Sequence, residues 1–287
     1  MGSHASKKAY TRLTYFMPRV RLTLEYAGTR YSGWQIQKNA KTVQGELNAA
    51  IRQVLGKMPF ETYGSGRTDA GVHALGQVVH LDSGANLPPA TLVARINEAL
   101  PADINVLEAE RMPPRFHARH SAVARSYIYQ IARRRTAFAK PFVWWVKDPL
   151  DLGRMRAASA QLTGFSDFRA FTDDDPDDKS TTVLVEDIAI AEDGSLLLIR
   201  VAGSHFLWKM VRRITGVLVE VGRGGLAPGD VRKLLAGDSD LPARLTAPAS
   251  GLFLERVYYT QPQTYPPLTA PLFRLPSFTQ VPGPGQN

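Results

Sequence analysis

The chain has 287 residues, no cysteine, and 35 Lys plus Arg against 26 Asp plus Glu, a formal charge of +9. Without cysteine there can be no disulfide framework, thiolate zinc site or cysteine nucleophile, which suits a reducing compartment such as the cytoplasm. At 44% hydrophobic and 21% charged residues it is a globular composition, long enough for one large core or two modest ones, and its positive balance favours a polyanionic partner, nucleic acid before a membrane surface.

No apolar run is long enough to span a bilayer. Residues 1–18 lack the apolar stretch of a signal peptide and read as a disordered leader or a remnant of expression cloning. Ordered structure is expected from Arg19, where apolar residues alternate with polar ones up to Tyr26, a half-buried strand. Thr42 is a candidate N-cap for a helix that repeats Val43, Leu47, Ile51 and Leu55. Gly76–Ser83 reads as a strand and Pro89–Leu100 as a helix.

The second half repeats the alternation. A strand is expected over Ser126–Ala132, with Tyr127, Tyr129 and Ile131 on one face, and a helix over Asp151–Leu162. Val183–Ile190 and Leu196–Ala202 form a hairpin around Gly194. A strongly patterned helix is predicted from Phe206 to Val221, its stripe made by Leu207, Met210, Val211, Ile214, Leu218 and Val221, with Lys209, Arg212 and Arg213 off that stripe. Leu252–Tyr259 closes as a strand. Seven prolines lie between Pro262 and Pro284, so residues 260–287 cannot be regular helix or central sheet and are expected to run along the surface or to be disordered. The implied division is a first half over 19–111 and a second over 112–259.

The segment richest in chemistry is Gly64-Ser65-Gly66-Arg67-Thr68-Asp69-Ala70-Gly71-Val72-His73-Ala74. Glycines and small residues around Asp69 let a ligand approach the backbone and leave space beside the carboxylate, while Arg67 can hold that carboxylate or a phosphate. The same residues also suit a plain glycine turn in which Asp69 only caps backbone groups. No Gly-Lys-Ser/Thr follows, and the dinucleotide G-x-G-x-x-G spacing is absent, so neither nucleotide-phosphate loop applies.

The string from Gly66 to Ala74 resembles the catalytic motif of the TruA family of tRNA pseudouridine synthases at every position. The resemblance runs from about Arg19 to Tyr259 in five signatures: that loop; Tyr26–Gln35 followed by Thr42–Leu47; Ala124–Tyr129; Phe206–Gly216; and Ala247–Leu252. The Trp208-Lys209 pair and the proline-rich tail depart from the commoner family pattern. The resemblance implies an α+β fold of two pseudo-twofold halves, whose mainly antiparallel sheets merge into one central sheet, with helices packed on it and a cleft between the halves. It further implies a homodimer that takes tRNA and isomerises uridines at positions 38–40 of the anticodon arm, with neither metal nor small-molecule cofactor.

Residue by residue, it implies that Asp69 is the catalytic aspartate, which must be ionised to serve as nucleophile or base. Arg212 is implied as the guanidinium that keeps it charged. Tyr127 matches the active-site tyrosine that stacks on uracil, although in isolation it fits the buried side of a strand equally well. Arg67 matches the arginine that holds a flipped-out nucleotide. Arg30, Arg115, Arg119, Arg125, Arg133 and Arg134 form the expected RNA track, joined by Arg111 and Arg135. The acidic run Asp173–Asp178 is read as a solvated loop turned away from RNA, a Mg²⁺ site being a remote option, and the histidines as too scattered to bind metal. Two other classes remain open at this point. A catalytically silent RNA-binding protein would need no carboxylate in its cleft, and a paired-carboxylate hydrolase would need a second acidic loop that the sequence lacks.

Overall fold

The computed structural model describes residues 18–177, 180–237 and 239–272; all but the last residue of the expected leader, Asp178 of the acidic run and the tail beyond Leu272 lie outside them. Strand β1 (Arg19–Tyr26) buries Val20, Leu22, Leu24 and Tyr26, the residues its alternation selects. Helix α1 (Val43–Leu55) starts where the Thr42 hydroxyl accepts the Gly45 N–H at 3.2 Å, and it turns Val43, Leu47 and Ile51 inwards. Then come β2 (Phe60–Gly64), β3 (His73–Ser83), α2 (Pro89–Ala99) and β4 (Ile104–Met112). The second half contains β5 (Ala124–Ala132), β6 (Trp144–Trp145), α3 (Leu152–Ser159), β7 (Gly164–Asp167), β8 (Thr182–Asp193), β9 (Leu196–Gly203), α4 (Met210–Arg223), α5 (Asp230–Ala236), α6 (Leu241–Arg244) and β10 (Leu252–Tyr258).

These elements make an α+β fold around one 10-stranded sheet in the order β4-β1-β3-β10-β5-β9-β8-β7, with β2 beside β3 and β6 beside β5. Pairing is antiparallel except for β3 with β10 and β5 with β6. The last strand in sequence therefore sits at the seam between the halves. Leu254 of β10 lies opposite Ala74 of β3 and opposite Tyr127 of β5. Only one strand separates Tyr127 from the strand that leaves the Asp69 loop.

Tyr127, Tyr129 and Ile131 of β5 join Leu197, Ile199 and Val201 of β9 in a core shared with the helices and continuous with Leu22, Leu47 and Val79. Side chains alternate along a strand, so Ala132, Leu196 and Leu198 face the other way, where Ala139, Val143 and the tail residues Leu268 and Ala270 cover them. Every residue of β5 is buried, on both faces. Arg200 shares that back face, 3% exposed, holding Glu255 through two 2.8 Å bonds and donating to the Pro266 carbonyl at 2.7 Å. Residues 260–272 are neither helix nor strand, and Pro266, Pro267, Leu268 and Ala270 among them lie against this face.

The structure departs from the sequence reading at one point and adds to it at two. Helix α4 begins at Met210 rather than Phe206, because Lys209 takes a left-handed φ of 61° and breaks the run. Arg213, which lies off the apolar stripe, is nonetheless buried, donating to the Thr172 carbonyl at 2.7 Å and pairing with Asp173. Strands β2, β4, β6 and β7 are absent from the sequence reading: β6 is two residues long, and β4 and β7 are edges of the sheet that carry exposed residues blurring any alternation. No helix among the described residues is long and apolar enough to cross a membrane.

Candidate active site

The loop bearing Asp69 rests on the segment that follows β1. The Trp34 N–H donates to the Thr68 carbonyl at 3.0 Å, the Gly71 N–H to the Tyr31 carbonyl at 3.3 Å, and the Tyr26 and Thr68 hydroxyls meet at 2.9 Å. Gly33, at φ +93°, allows this contact: a Cβ there would stand 2.7 Å from the Thr68 carbonyl oxygen. A Cβ on Gly28 would lie 1.9 Å from the Val72 carbonyl oxygen. Two of the sequence signatures are thus one object in space, a cradle and the loop it supports.

Arg212 arrives from the other half. Its Nη1 lies 3.4 Å from Asp69 Oδ2, and both side chains remain partly exposed. Its Nε donates to the Ala247 carbonyl at 2.7 Å, while the Ala247 N–H donates to the Arg212 carbonyl at 3.1 Å. The segment before β10 thereby aims the guanidinium at the carboxylate. Tyr129 reaches the same segment through a 2.7 Å bond to the Pro248 carbonyl.

Asp69, Arg67, Arg212 and Tyr127 line one cleft of about 920 Å³, whose apolar walls include Phe206 and Leu252. Tyr127 is 8% exposed, with the Phe206 ring edge-on at 5.2 Å. Burial pushes its phenol up to about 12, with Arg125 opposing and the Asp69 charge adding to the rise. The hydroxyl therefore stays protonated at neutral pH and can donate a hydrogen bond there. Phe206 and Leu252 were missed as wall residues; each sits inside a signature, but composition does not distinguish a wall from core.

The expected RNA track divides. Arg119 lines the cleft and is exposed, as is Arg67. Arg125 also lines it, but its guanidinium is buried and donates to the carbonyls of Ser65 at 2.9 Å, Arg119 at 3.2 Å and Ser204 at 3.1 Å. It is a strut beneath the site, its charge desolvated and its donors committed. Arg30 pairs with Asp103 at 2.7 Å, and Arg133 with Glu192. Arg111 donates to Asn86 at 2.9 Å. Arg115 is exposed on the connection from β4 to β5, and Arg134 is half-buried beyond the end of β5.

The acidic run is corrected as well. It does not turn away from the site: Asp174 lines the cleft and accepts the Trp208 N–H at 2.9 Å, while Asp173 holds Lys209 at 2.5 Å. Two cations, Lys209 and Arg213, balance Asp173, so its charge is neutralised within the fold. His80, His117 and His120 gather in space, their rings 4.6 and 4.3 Å apart in succession. The Nδ1 atoms of His80 and His117 accept backbone N–H groups, and no group of three or more His, Asp or Glu among the described residues is placed to hold a metal ion.

The pattern of the tRNA pseudouridine synthase family matches residues 23–121 and 158–260. A tRNA pseudouridine synthase A of Syntrophotalea carbinolica is 43% identical over 245 residues, covering 85% of this chain and 97% of that one. Its counterpart in Moorella thermoacetica is 40% identical over 247 residues, 85% of this chain and 100% of the relative, and that of Halalkalibacterium halodurans 39% over 242 residues, 84% and 92%. With that pattern spanning the cradle, the Asp69 loop and Arg212, and the relatives covering most of its length, the chain belongs to the tRNA pseudouridine synthase family, isomerases that convert uridine to pseudouridine.

Proposed function

We propose that this protein isomerises uridine to pseudouridine at positions 38–40 of the tRNA anticodon arm, acting as a cytoplasmic homodimer without a cofactor, with Asp69 as the essential group. The observation that carries the reading is the 3.4 Å approach of Arg212 to Asp69 in a cleft walled by Tyr127 and Phe206. A carboxylate so placed faces a guanidinium across 3.4 Å, while the aromatic wall beside it can receive a planar base.

In the reaction the N1–C1′ glycosidic bond breaks, uracil turns, C5 bonds to C1′, and the C5 proton leaves while N1 regains one. Nothing is oxidised and no water is consumed. Asp69 acts on the ribose or on a proton during cleavage; Tyr127 stacks on the uracil, its hydroxyl oxygen accepting the C5 proton as its own proton passes to solvent. Arg67 holds the backbone of the flipped nucleotide, offsetting an unstacking cost of about a few kcal/mol. The test is to incubate the purified protein with an unmodified tRNA transcript and map pseudouridine chemically. Product at positions 38, 39 or 40 is expected, and a transcript unmodified at all three refutes the assignment.

A further inference from the structure

The turn between β9 and α4 holds one large aromatic side chain that the core does not use. Leu207 and Met210 point inwards and Phe206 packs edge-on against Tyr127, whereas Trp208 stands 50% exposed on the rim of the cleft. Leaving an indole half in water forgoes hydrophobic stabilisation, and an aromatic face open beside a cleft is suited to stacking on a planar ligand.

Its backbone is firmly held. Asp174 Oδ2 accepts the Trp208 N–H at 2.9 Å, and Asp174 is itself fastened by its own N–H to the Thr172 hydroxyl at 2.9 Å. Lys209 takes its left-handed turn with Nζ 2.5 Å from Asp173 Oδ2 and 4.8 Å from the centre of the Trp208 ring. The buried Arg213 guanidinium anchors the same Asp173 and the Thr172 carbonyl. Asp173 and Asp174, which by charge alone should repel RNA, are thus occupied in holding the Trp208–Lys209 turn at the mouth of a cleft lined with arginines.

We propose that Trp208 is a stacking platform for an unpaired nucleobase flanking the reacting uridine, and that Asp174 is the positioning residue that sets it. The inference rests on the reading of the cleft as an RNA site. Stacking on an aromatic face is sequence-tolerant, so the platform adds affinity and register and leaves base choice open.

The test measures binding of an anticodon-arm RNA hairpin in the Asp69→Asn background, where no turnover interferes. Adding Trp208→Ala is expected to weaken binding by about fivefold or more, the lower end of base–aromatic stacking, while Trp208→Phe stays close to the parent. An abasic residue beside the target uridine should weaken binding to the Trp208 protein and add nothing once Trp208 is alanine, the non-additivity expected of two groups that touch. In the active enzyme, Asp174→Ala should raise KM with kcat retained, and Asp174→Asn, which keeps an acceptor for the Trp208 N–H, should restore it. Unchanged binding in Trp208→Ala, or abasic and alanine effects that multiply, overturns the proposal. Failure of the cleft reading looks different: the parent then makes no pseudouridine whatever residue occupies position 208.

Discussion

Asp69 and Arg212 stand 143 positions apart in the chain and 3.4 Å apart in space, and the seam strand β10 accounts for the meeting. One edge of β10 pairs with the strand that leaves the Asp69 loop, while the segment just before it clamps Arg212 through Ala247. The proposed chemistry depends on that pairing. Asp69→Asn is nearly isosteric and cannot ionise, so it should lower single-turnover pseudouridine formation by at least about 10²-fold with tRNA affinity close to the parent. Arg212→Lys keeps the charge but loses the fork that spans Asp69 and Ala247, and should also be slow. Substantial turnover by Asp69→Asn would remove Asp69 from its role.

Tyr127 offers a ring and a hydroxyl, and two substitutions separate them. Tyr127→Phe should retain tRNA binding, whereas Tyr127→Leu should lose roughly 1–3 kcal/mol of it. Because burial pushes the phenol up to about 12, the hydroxyl remains protonated throughout the neutral and mildly alkaline range. The parent's rate should therefore show no limb near pH 10 that Tyr127→Phe abolishes, and a pH–rate profile of both proteins checks this.

Salt dependence sorts the arginines. Arg67 and Arg119 are exposed in the cleft. Replacing either with alanine should flatten the slope of log affinity against log salt by roughly 0.7–0.9 for each phosphate that the side chain neutralises. Arg30 and Arg133 already face Asp103 and Glu192, and their alanine variants should leave the slope unchanged. Filter-binding titrations over a range of salt decide between the two groups.

Acid should destabilise the fold through His80. Its Nδ1 accepts the Ala118 N–H at 3.1 Å, and burial, helped by Arg19, pushes the imidazole from 6.5 down to about 4. The folded state thus refuses a proton that the unfolded chain accepts, so stability holds above pH 6.5 and falls as pH drops towards 4. The loss from this group approaches about 1.4 kcal/mol per pH unit in that window. Urea unfolding at pH 7.5 and pH 5 should show the drop, and His80→Asn, which keeps an acceptor but cannot be protonated there, should reduce it.

On the back of the sheet, Arg200 and Glu255 form a two-bond ion pair that the tail carbonyls of Pro266 and Pro267 complete. Arg200→Met strands the Glu255 charge in a nearly dry site and should cost about 3–5 kcal/mol in urea unfolding. Pairing it with Glu255→Leu removes both charges and should recover most of that loss.

Local periodicity was enough to predict β1, α1, α2, β5 and the β8–β9 hairpin, since each exposes one pattern of apolar residues that its own length repeats. The Asp69 loop was legible too, because a glycine-flanked carboxylate at a turn is a local feature, and five ordered signatures implied the family. Tertiary structure decided what depends on partners distant in sequence. Strands β4 and β7 exist because β1 and β8 lend them hydrogen bonds, despite weak patterns of their own. The start of α4 is set by the left-handed Lys209 and the aspartates that hold it. Arg125 and Arg213 look like surface charges in one dimension; they are buried because carbonyls and a carboxylate from remote loops converge on them. The acidic run was misjudged for the same reason: net charge can be summed along a sequence, but neutralisation requires knowing which cations the fold brings within about 4 Å.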